Sequence, residues 1–302
     1  MSDPATTPAM AQYATWKQRH ADALLFFRMG DFYELFFDDA KTAAKALGLT
    51  LTSRSKGEGA IPMAGVPVRA LDGYLRRLVQ MGHKVAICEQ LQDPKDAKGV
   101  VDRAVVRVVT PGTLTEDSLL DGKRNNHLAA VTVGRDRAGL AWVDLSTGAF
   151  CVHECAPERL ADELARIEPS ELLLAEDQRG QSRTWQPQDG VPTTFRPPWD
   201  FGVESATRTL LQFFRVSTLG GFGVQDLPLG VGAAGALVAY LQSTQLCALP
   251  HLRGLEVWHD GAFMRLDRTT RASLELVQTM RDGEGTSLLS VIDRTVTPMG
   301  AR

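Results

Sequence analysis

Residues Leu24 to Leu35, Leu-Leu-Phe-Phe-Arg-Met-Gly-Asp-Phe-Tyr-Glu-Leu, decide how the first part of the chain folds. Their aromatic and apolar side chains predict a strand at 24–28 and a second strand directly after it. In an extended chain, Phe32 and Glu34 leave the backbone on the same face. The same pattern also suits a half-buried edge strand, in which Phe32 belongs to the core and Glu34 to the ordinary surface.

An exposed aromatic ring beside an exposed carboxylate suits the recognition of nucleic acid. Phe32 has the shape of the apolar side chains that minor-groove proteins push between base steps to unstack and kink a duplex. A carboxylate is repelled by a phosphate backbone, so Glu34 is most useful there in its protonated form, as a hydrogen-bond donor to a base. Together the two side chains predict a site that probes a badly paired base.

Charge is distributed unevenly along the chain, whose net charge is −3. Residues 1–115 contain 15 Lys and Arg against 12 Asp and Glu, a balance of +3, which leaves 18 against 24, or −6, for residues 116–302. This balance predicts a modest, salt-sensitive attraction of the first part to phosphates.

Five further residues are candidates for the same interface. Arg54, Arg103 and Arg107 are expected to contact phosphate or sugar, and solvated surface charge is the alternative for each. Met29 and Met63 are expected to line the groove beside Phe32, or else to belong to the core, as methionines on an apolar face often do.

Four stretches of the sequence, in this order, resemble the MutS family of DNA mismatch-repair proteins. They are Leu-Phe-Phe-Arg-Met-Gly-Asp-Phe-Tyr-Glu-Leu at 25–35, Ile-Pro-Met-Ala-Gly-Val-Pro at 61–67, Val-Ala-Ile-Cys-Glu-Gln at 85–90 and Val-Arg-Val-Val-Thr-Pro-Gly-Thr at 106–113, with weaker similarity on to 296–302. The resemblance implies an α/β fold in three parts. These are a mixed-sheet α/β mismatch-recognition domain at 1–115, an RNase H-like α/β connector domain at 116–250, and the truncated start of an α-helical core domain at 251–302.

The resemblance also implies a function for the first domain. Such a protein binds mispaired bases and small insertion or deletion loops in double-stranded DNA, with Phe32 stacking on the mispaired base from the minor groove and Glu34 hydrogen-bonding to it. Some relatives bind DNA junctions instead, and these generally lack both residues. Finding Phe32 and Glu34 in the matching positions favours mismatch reading, with junction binding as the alternative.

Further activities of the family are expected to lie outside this chain. Intact MutS proteins are DNA-dependent ATPases that use ATP and magnesium, work as homodimers and bind MutL through the connector domain. The phosphate-binding pattern Gly-x4-Gly-Lys-Ser/Thr is absent from the sequence, and Gly283-Glu-Gly-Thr-Ser287 lacks the lysine. We therefore expect no catalytic residue and no cofactor here. The chain looks like a fragment, with the ATPase and the principal dimer contacts C-terminal to Arg302.

Two other chemistries are considered for the second domain. Cys151, His153 and Cys155 would suit zinc, but no second ligand pair has the usual spacing, so the thiols are expected to serve as small apolar residues and no metal site is predicted. Asp144 occupies the strand position where RNase H-like nucleases often carry an aspartate. Two-metal hydrolysis needs several converging carboxylates, however, and capping of the turn at 146–148 is the other role for Asp144.

The sequence has neither an export signal at its start nor an apolar run long enough to cross a bilayer. We expect a cytoplasmic, nucleoid-associated bacterial protein without membrane contact.

Hydrophobic periodicity and turn residues predict the secondary structure of the chain. Helices are predicted at 8–20, 38–47, 70–81, 157–167, 205–214, 229–245 and 267–280, with a further short helix from 286. Strands are predicted at 24–28, 49–52, 84–89, 103–110, 127–133, 140–145, 149–153, 171–174 and 263–266. A long surface connection is predicted at 176–198.

Overall fold

The protein is described by a computed structural model, which covers residues 7–53, 60–92, 99–115, 119–122, 124–180, 185, 190–262, 264–280, 286–297 and 300. Internal contacts divide the chain into two units, one made of 1–119 with 242–248 and the other of 120–241 with 249–302. The domain limits 1–115, 116–250 and 251–302 stay predictions. Within the described residues, no helix has the length and apolar character needed to span a membrane.

In the part of the first unit that the structure describes, a six-stranded mixed sheet is accompanied by three α-helices. Its elements are α1 (Pro8–Arg19), β1 (Leu24–Met29), β2 (Phe32–Phe36), α2 (Phe37–Leu47), β3 (Thr52–Ser53), β4 (Pro62–Pro67), α3 (Leu71–Gln80), β5 (Val85–Gln90) and β6 (Arg103–Val109). The strand order is β3-β4-β2-β1-β5-β6. Only β1 and β5 are parallel, whereas the other neighbouring pairs are antiparallel. The predicted α/β class is confirmed.

The central strand β1 is buried from Leu24 to Phe27 because both of its faces are covered there, which explains this run of four apolar residues. On one face, the ring of Tyr13 from α1 packs edge-on against Phe27 and Phe36, with centroid separations of 5.6 and 5.0 Å. Such aromatic contacts add to the stabilisation from apolar burial. Helix α1 thus covers this face of the sheet at Phe27 and Phe36. At the N-terminal end of β2, by contrast, Phe32 is exposed.

Helix α2 does not begin as predicted. The helix predicted at 38–47 starts at Phe37, its N-cap is Phe36, and no side chain caps it there. Asp39 instead lies buried in the first turn, where its carboxylate accepts the Leu25 amide at 3.0 Å and pairs with Lys17 at 2.9 Å. A buried amide at the start of β1 needs an acceptor, and Asp39 supplies it. The predicted helix end is confirmed, with Gly48 left-handed at φ +71°.

The second unit contains another six-stranded mixed sheet, between helices. Its elements are β7 (His127–Val133), β8 (Ala138–Asp144), β9 (Phe150–Cys155), α4 (Leu160–Ile167), β10 (Glu171–Ala175), β11 (Thr193–Arg196), α5 (Val203–Phe214), α6 (Pro228–Gln245), β12 (Glu256–Val257), α7 (Arg268–Ser273) and α8 (Leu288–Ile292). Helix α6 belongs to this unit up to residue 241. The strand order is β11-β10-β7-β8-β9-β12. Strands β7, β8 and β9 form an antiparallel meander, and β10, β11 and β12 join it in parallel pairs.

Alternation along β7 assigns the two faces of this sheet. Leu128 and Ala130 belong to the core cluster that contains α5 and α6, while Ala129 and Val131 belong to the cluster that contains α4. With both faces covered, the strands carry apolar residues at nearly every position. The predicted strand-rich opening followed by β-α-β is therefore observed.

Three predictions for the second unit and its C-terminal segment differ from the structure. The connection at 176–198 contains strand β11, which pairs with β10. Residues 264–266 form no strand, and the strand on the edge beside β9 is instead Glu256–Val257. Helix α7 ends at Ser273, well before the predicted Met280. The helix is capped by Asp267, whose carboxylate accepts the Thr270 amide at 2.8 Å.

Candidate nucleic-acid interface

The turn between β1 and β2 presents Phe32 at the surface. Gly30 has φ +62°, a left-handed conformation that glycine adopts without steric cost, and it closes the turn together with Asp31. Phe32 is the first residue of β2, and its side chain is 47% exposed. The ring rests against the neighbouring strand β4 at Gly65, where a built Cβ atom would lie 3.5 Å from Phe32 Cδ1. The structure therefore places an aromatic ring at an exposed hairpin tip.

Glu34 lies on the same face of the sheet as Phe32. It is half-buried, and its cross-strand neighbours are Phe27 on β1 and Gly65 on β4. Met29 is the cross-strand neighbour of Phe32, and Met63 that of Phe36. Both methionines are half-buried and pack against the core cluster beneath α1. Met29 therefore lies beside Phe32 while it packs on the core, whereas Met63 lies at the other end of β2, opposite Phe36, and packs on the same core.

Arg103 joins this group from strand β6. Its Nε atom donates to the Arg28 carbonyl at 2.7 Å, its Nη1 atom donates to the Val101 carbonyl at 2.8 Å, and the guanidinium lies 5.1 Å from the centre of the Phe27 ring. Burial lowers the pKa of the Arg103 guanidinium, while the neighbouring Cys88 and Glu34 act in the opposite direction. The arginine is therefore anchored to the sheet beside Glu34. We call the surface formed by Phe32, Glu34, Met29, Met63 and Arg103 the Phe32 face.

The remaining predicted residues do not join the Phe32 face. Arg107 is the cross-strand neighbour of Ile87, whereas Arg103 is that of Gln90, and a β-bulge between Ile87 and Cys88 separates the two registers. Arg107 is consequently on the opposite face, where its Nη2 atom donates to the Thr113 carbonyl at 3.2 Å. Arg54 lies outside the described residues.

A polar network behind the hairpin was not anticipated from the sequence. On the side opposite Phe32, the Tyr33 hydroxyl donates to Glu89 Oε1, and Arg28 Nη1 lies 3.3 Å from Glu89 Oε2. Burial, followed by the hydrogen bond to Glu89, raises the pKa of Tyr33 to about 12. The phenol therefore stays a protonated donor throughout the physiological pH range. Short-range sequence patterns carry no signal for this network, because Glu89 is distant in the sequence.

In the second unit, Asp144 serves the turn between β8 and β9. Its buried carboxylate accepts the Ser146 amide at 2.8 Å, the Ser146 hydroxyl at 2.6 Å and the Asn126 amide at 3.1 Å. These bonds agree with the turn-capping role considered for it. Among the described residues, Asp144 belongs to no cluster of three potential metal ligands.

Replacing Asp144 with asparagine is expected to lower the free energy of unfolding of the second unit by about 1–3 kcal/mol, because an amide NH2 would face a backbone N–H donor. Urea unfolding followed by tryptophan fluorescence measures this, since four of the five tryptophans follow residue 120. The exposed Asp226, changed to asparagine, is the control. Magnesium-dependent DNA cleavage by the wild type that disappears in Asp144→Asn would instead support the nuclease alternative.

His153, Glu163 and Asp260 form a second polar cluster, with potential ligand atoms within 4.8 Å of one another. Arginines bind both of its carboxylates. Arg159 pairs with Glu163 at 2.9 Å and with Asp260 at 2.6 Å, and further pairs come from Arg166 and Arg265. The positive charges compensate the carboxylates where a cation would have to bind, so we interpret the cluster as an ion-pair network. Cys155, by contrast, is buried in the apolar core, as predicted.

Two family models match the chain, in the same order as the two units. The model described as MutS domain I matches residues 7–118, and the model described as MutS domain II matches residues 126–253. Together they cover well over half of the sequence and include every residue of the Phe32 face. With the two α/β sheets described above, these matches establish that the chain belongs to the MutS family of DNA mismatch-repair proteins.

Proposed function

We propose that this protein recognises mispaired bases and small insertion or deletion loops in duplex DNA through the Phe32 face. Phe32 stacks on the mispaired base from the minor groove, and Glu34 forms a hydrogen bond to that base. The observation that carries the proposal is the half-exposed Phe32 ring at a hairpin tip, with Glu34 on the same face of the sheet, in a chain of the MutS family.

The energetics of DNA bending explain how one such site accepts chemically different errors. A mismatch has already lost part of its pairing and stacking energy, so kinking the duplex there costs less than kinking it at a matched pair. An aromatic ring that unstacks a base step senses this difference directly. The site therefore reads the deformability of the duplex more than the identity of the bases.

Glu34 adds a hydrogen bond to the mispaired base, whereas Phe32 senses how easily the duplex bends. Near phosphates its charge is unfavourable, so its useful form is the protonated carboxyl, which donates to a base nitrogen or oxygen. The guanidinium of Arg103 is close enough to interact electrostatically with Glu34 in the free protein. We infer that Arg103 offsets the negative charge of Glu34 in the free protein.

Replacing Glu34 with alanine is expected to reduce the ratio of affinities for G·T and matched duplexes by about tenfold while general DNA affinity is retained or rises, because a hydrogen bond worth roughly 1–2 kcal/mol and a repulsive charge are both removed. Fluorescence anisotropy at low salt measures both affinities. The control is Asp38→Ala, which removes the same charge from an exposed residue of α2. Uniformly weaker binding of Glu34→Ala to every duplex would contradict this role.

Junction binding is the second candidate within the family. Affinity for a four-way junction, compared with that for a G·T duplex in the same buffer, separates the two. A preference for the junction that survives Phe32→Ala would favour the alternative.

For the second unit, we propose a connector role, in which it binds MutL and transmits the state of the DNA site. ATP and magnesium belong to the intact protein in this proposal, as does the homodimer. Addition of purified MutL to the chain on G·T DNA tests the first point, and an ATPase assay of the chain, expected to give no turnover, tests the second.

A further inference from the structure

The hairpin that carries Phe32 and Glu34 is secured from its opposite face by three polar residues. Arg28 and Tyr33 are cross-strand neighbours on β1 and β2, and Glu89 extends from β5 to both of them. Tyr33 is only 2% exposed. We call Arg28, Tyr33 and Glu89 the hairpin clamp. The clamp lies on the face of the sheet opposite Phe32 and Glu34, where it can hold the hairpin in position.

The clamp reaches the turn itself. Arg28 Nε donates to the Gly30 carbonyl at 2.5 Å, and the Arg28 guanidinium lies 5.5 Å from the centre of the Tyr33 ring. The Val68 amide donates to the Asp31 carbonyl at 2.9 Å and so ties the turn to the end of β4. The left-handed glycine is therefore fixed on both sides, although glycine alone would leave the turn free to change its backbone angles.

Tyr33 stands between Phe32 and Glu34 in the sequence, and its side chain points away from theirs. Fixing the Tyr33 ring consequently fixes the peptide units on both of its sides, and with them the directions of the two side chains that meet DNA. We propose that Glu89 is a positioning residue that, through Tyr33 and Arg28, sets the angle at which Phe32 and Glu34 approach a mispaired base. This inference rests on the proposed function of the Phe32 face.

A positioning role makes a selective prediction for binding. Affinity for matched DNA depends mainly on phosphate contacts, which tolerate small displacements of the hairpin. Stacking and a hydrogen bond to a base require defined geometry, so a loosened hairpin loses affinity for the mismatch first. The ratio of mismatched to matched affinity should therefore fall, while matched affinity stays constant.

Tyr33→Phe tests this in the full 302-residue chain, because it removes only the hydroxyl that Glu89 binds. Amide hydrogen exchange in the free protein, resolved by NMR, is expected to become about tenfold faster at residues 28–34, the factor that corresponds to one hydrogen bond to a charged group. On DNA, fluorescence anisotropy is expected to show a three- to tenfold smaller preference for G·T, with unchanged affinity for matched duplex.

Tyr13→Phe is the matched control, since Tyr13 is also buried in the first unit and its hydroxyl contacts a carboxylate, Asp39, and the Phe36 carbonyl. It should leave exchange at 28–34 and the G·T preference unchanged. Equal acceleration in both variants, or none in Tyr33→Phe, would overturn the proposal. If Tyr33→Phe does not fold, Glu89→Ala replaces it, because it removes the acceptor of the Tyr33 hydroxyl, and the same direction of change is expected.

The two measurements also separate this inference from the proposed function. If the wild type does not prefer G·T over matched DNA, the function proposed for the Phe32 face fails, and the exchange rates alone then decide whether Glu89 positions the hairpin. If the wild type does prefer G·T and Tyr33→Phe keeps that preference despite faster exchange, the positioning role fails and the proposed function stands.

Discussion

Phe32→Ala is expected to abolish the preference for mismatched over matched DNA with little change in folding. Stacking of an aromatic ring on a base contributes about 1–3 kcal/mol, so its loss reduces mismatch affinity by roughly 5- to 150-fold. Matched DNA, which offers no unstacked base, should bind as before. Because nearly half of the side chain is exposed, the loss in unfolding free energy should stay at or below about 1 kcal/mol.

Anisotropy titrations of wild type and Phe32→Ala on G·T and matched duplexes, with thermal unfolding of both proteins, measure these effects. Phe37→Ala supplies the control. Phe37 is 44% exposed and close in sequence, but it follows β2 and starts α2 instead of lying at the hairpin tip. A large drop in thermal stability for Phe32→Ala, or an equal loss of preference in Phe37→Ala, would contradict the role assigned to Phe32.

The second large effect concerns stability. Gly139→Ala is expected to destabilise the second unit by about 3 kcal/mol or more, because a Cβ atom there would lie 2.1 Å from the Leu229 carbonyl carbon and 2.4 Å from the Gly230 nitrogen. The obstruction is backbone at the start of α6. Glu154 Oε1 holds that backbone by accepting both amides, at 2.7 and 3.1 Å, which leaves it little freedom to move away.

Urea unfolding monitored by tryptophan fluorescence measures this effect on the second unit. The control is Gly221→Ala, since a Cβ atom at Gly221 would meet nothing within 4 Å. A loss in Gly139→Ala no larger than in Gly221→Ala would show that α6 does not approach β8 as closely as described.

Local sequence patterns predicted the elements with strong hydrophobic signals. Strand β7 has the predicted limits, and helix α6 differs from its predicted limits by one residue, because each is a nearly unbroken run of apolar residues. Strand β11 was missed because Thr193–Arg196 is short and lies in a polar, proline-containing connection. It becomes a strand only because β10 offers a parallel partner.

The residues of the Phe32 face also include some that local sequence patterns predicted to lie together and others that they did not. The alternation of side chains in an extended segment was enough to predict that Phe32 and Glu34 lie on the same face of the sheet. The same pattern could not predict that Arg103 lies on this face and Arg107 does not. Strict alternation puts residues 103 and 107 on one side, but the β-bulge in the β5–β6 pair inserts a residue and turns Arg107 to the other.

What the order of residues settles here is local: the periods of the strands and helices, the turn at Gly30, and the pairing of an aromatic ring with a carboxylate at a hairpin. What needs the folded protein is non-local: the contact of Glu89 with Tyr33 and Arg28 across the sheet, the closeness of Arg103 to Glu34, and the approach of α6 to Gly139. The reason is physical. Backbone periodicity acts between near neighbours in the chain, whereas strand register, bulges and close backbone approaches are set by packing between segments far apart in it.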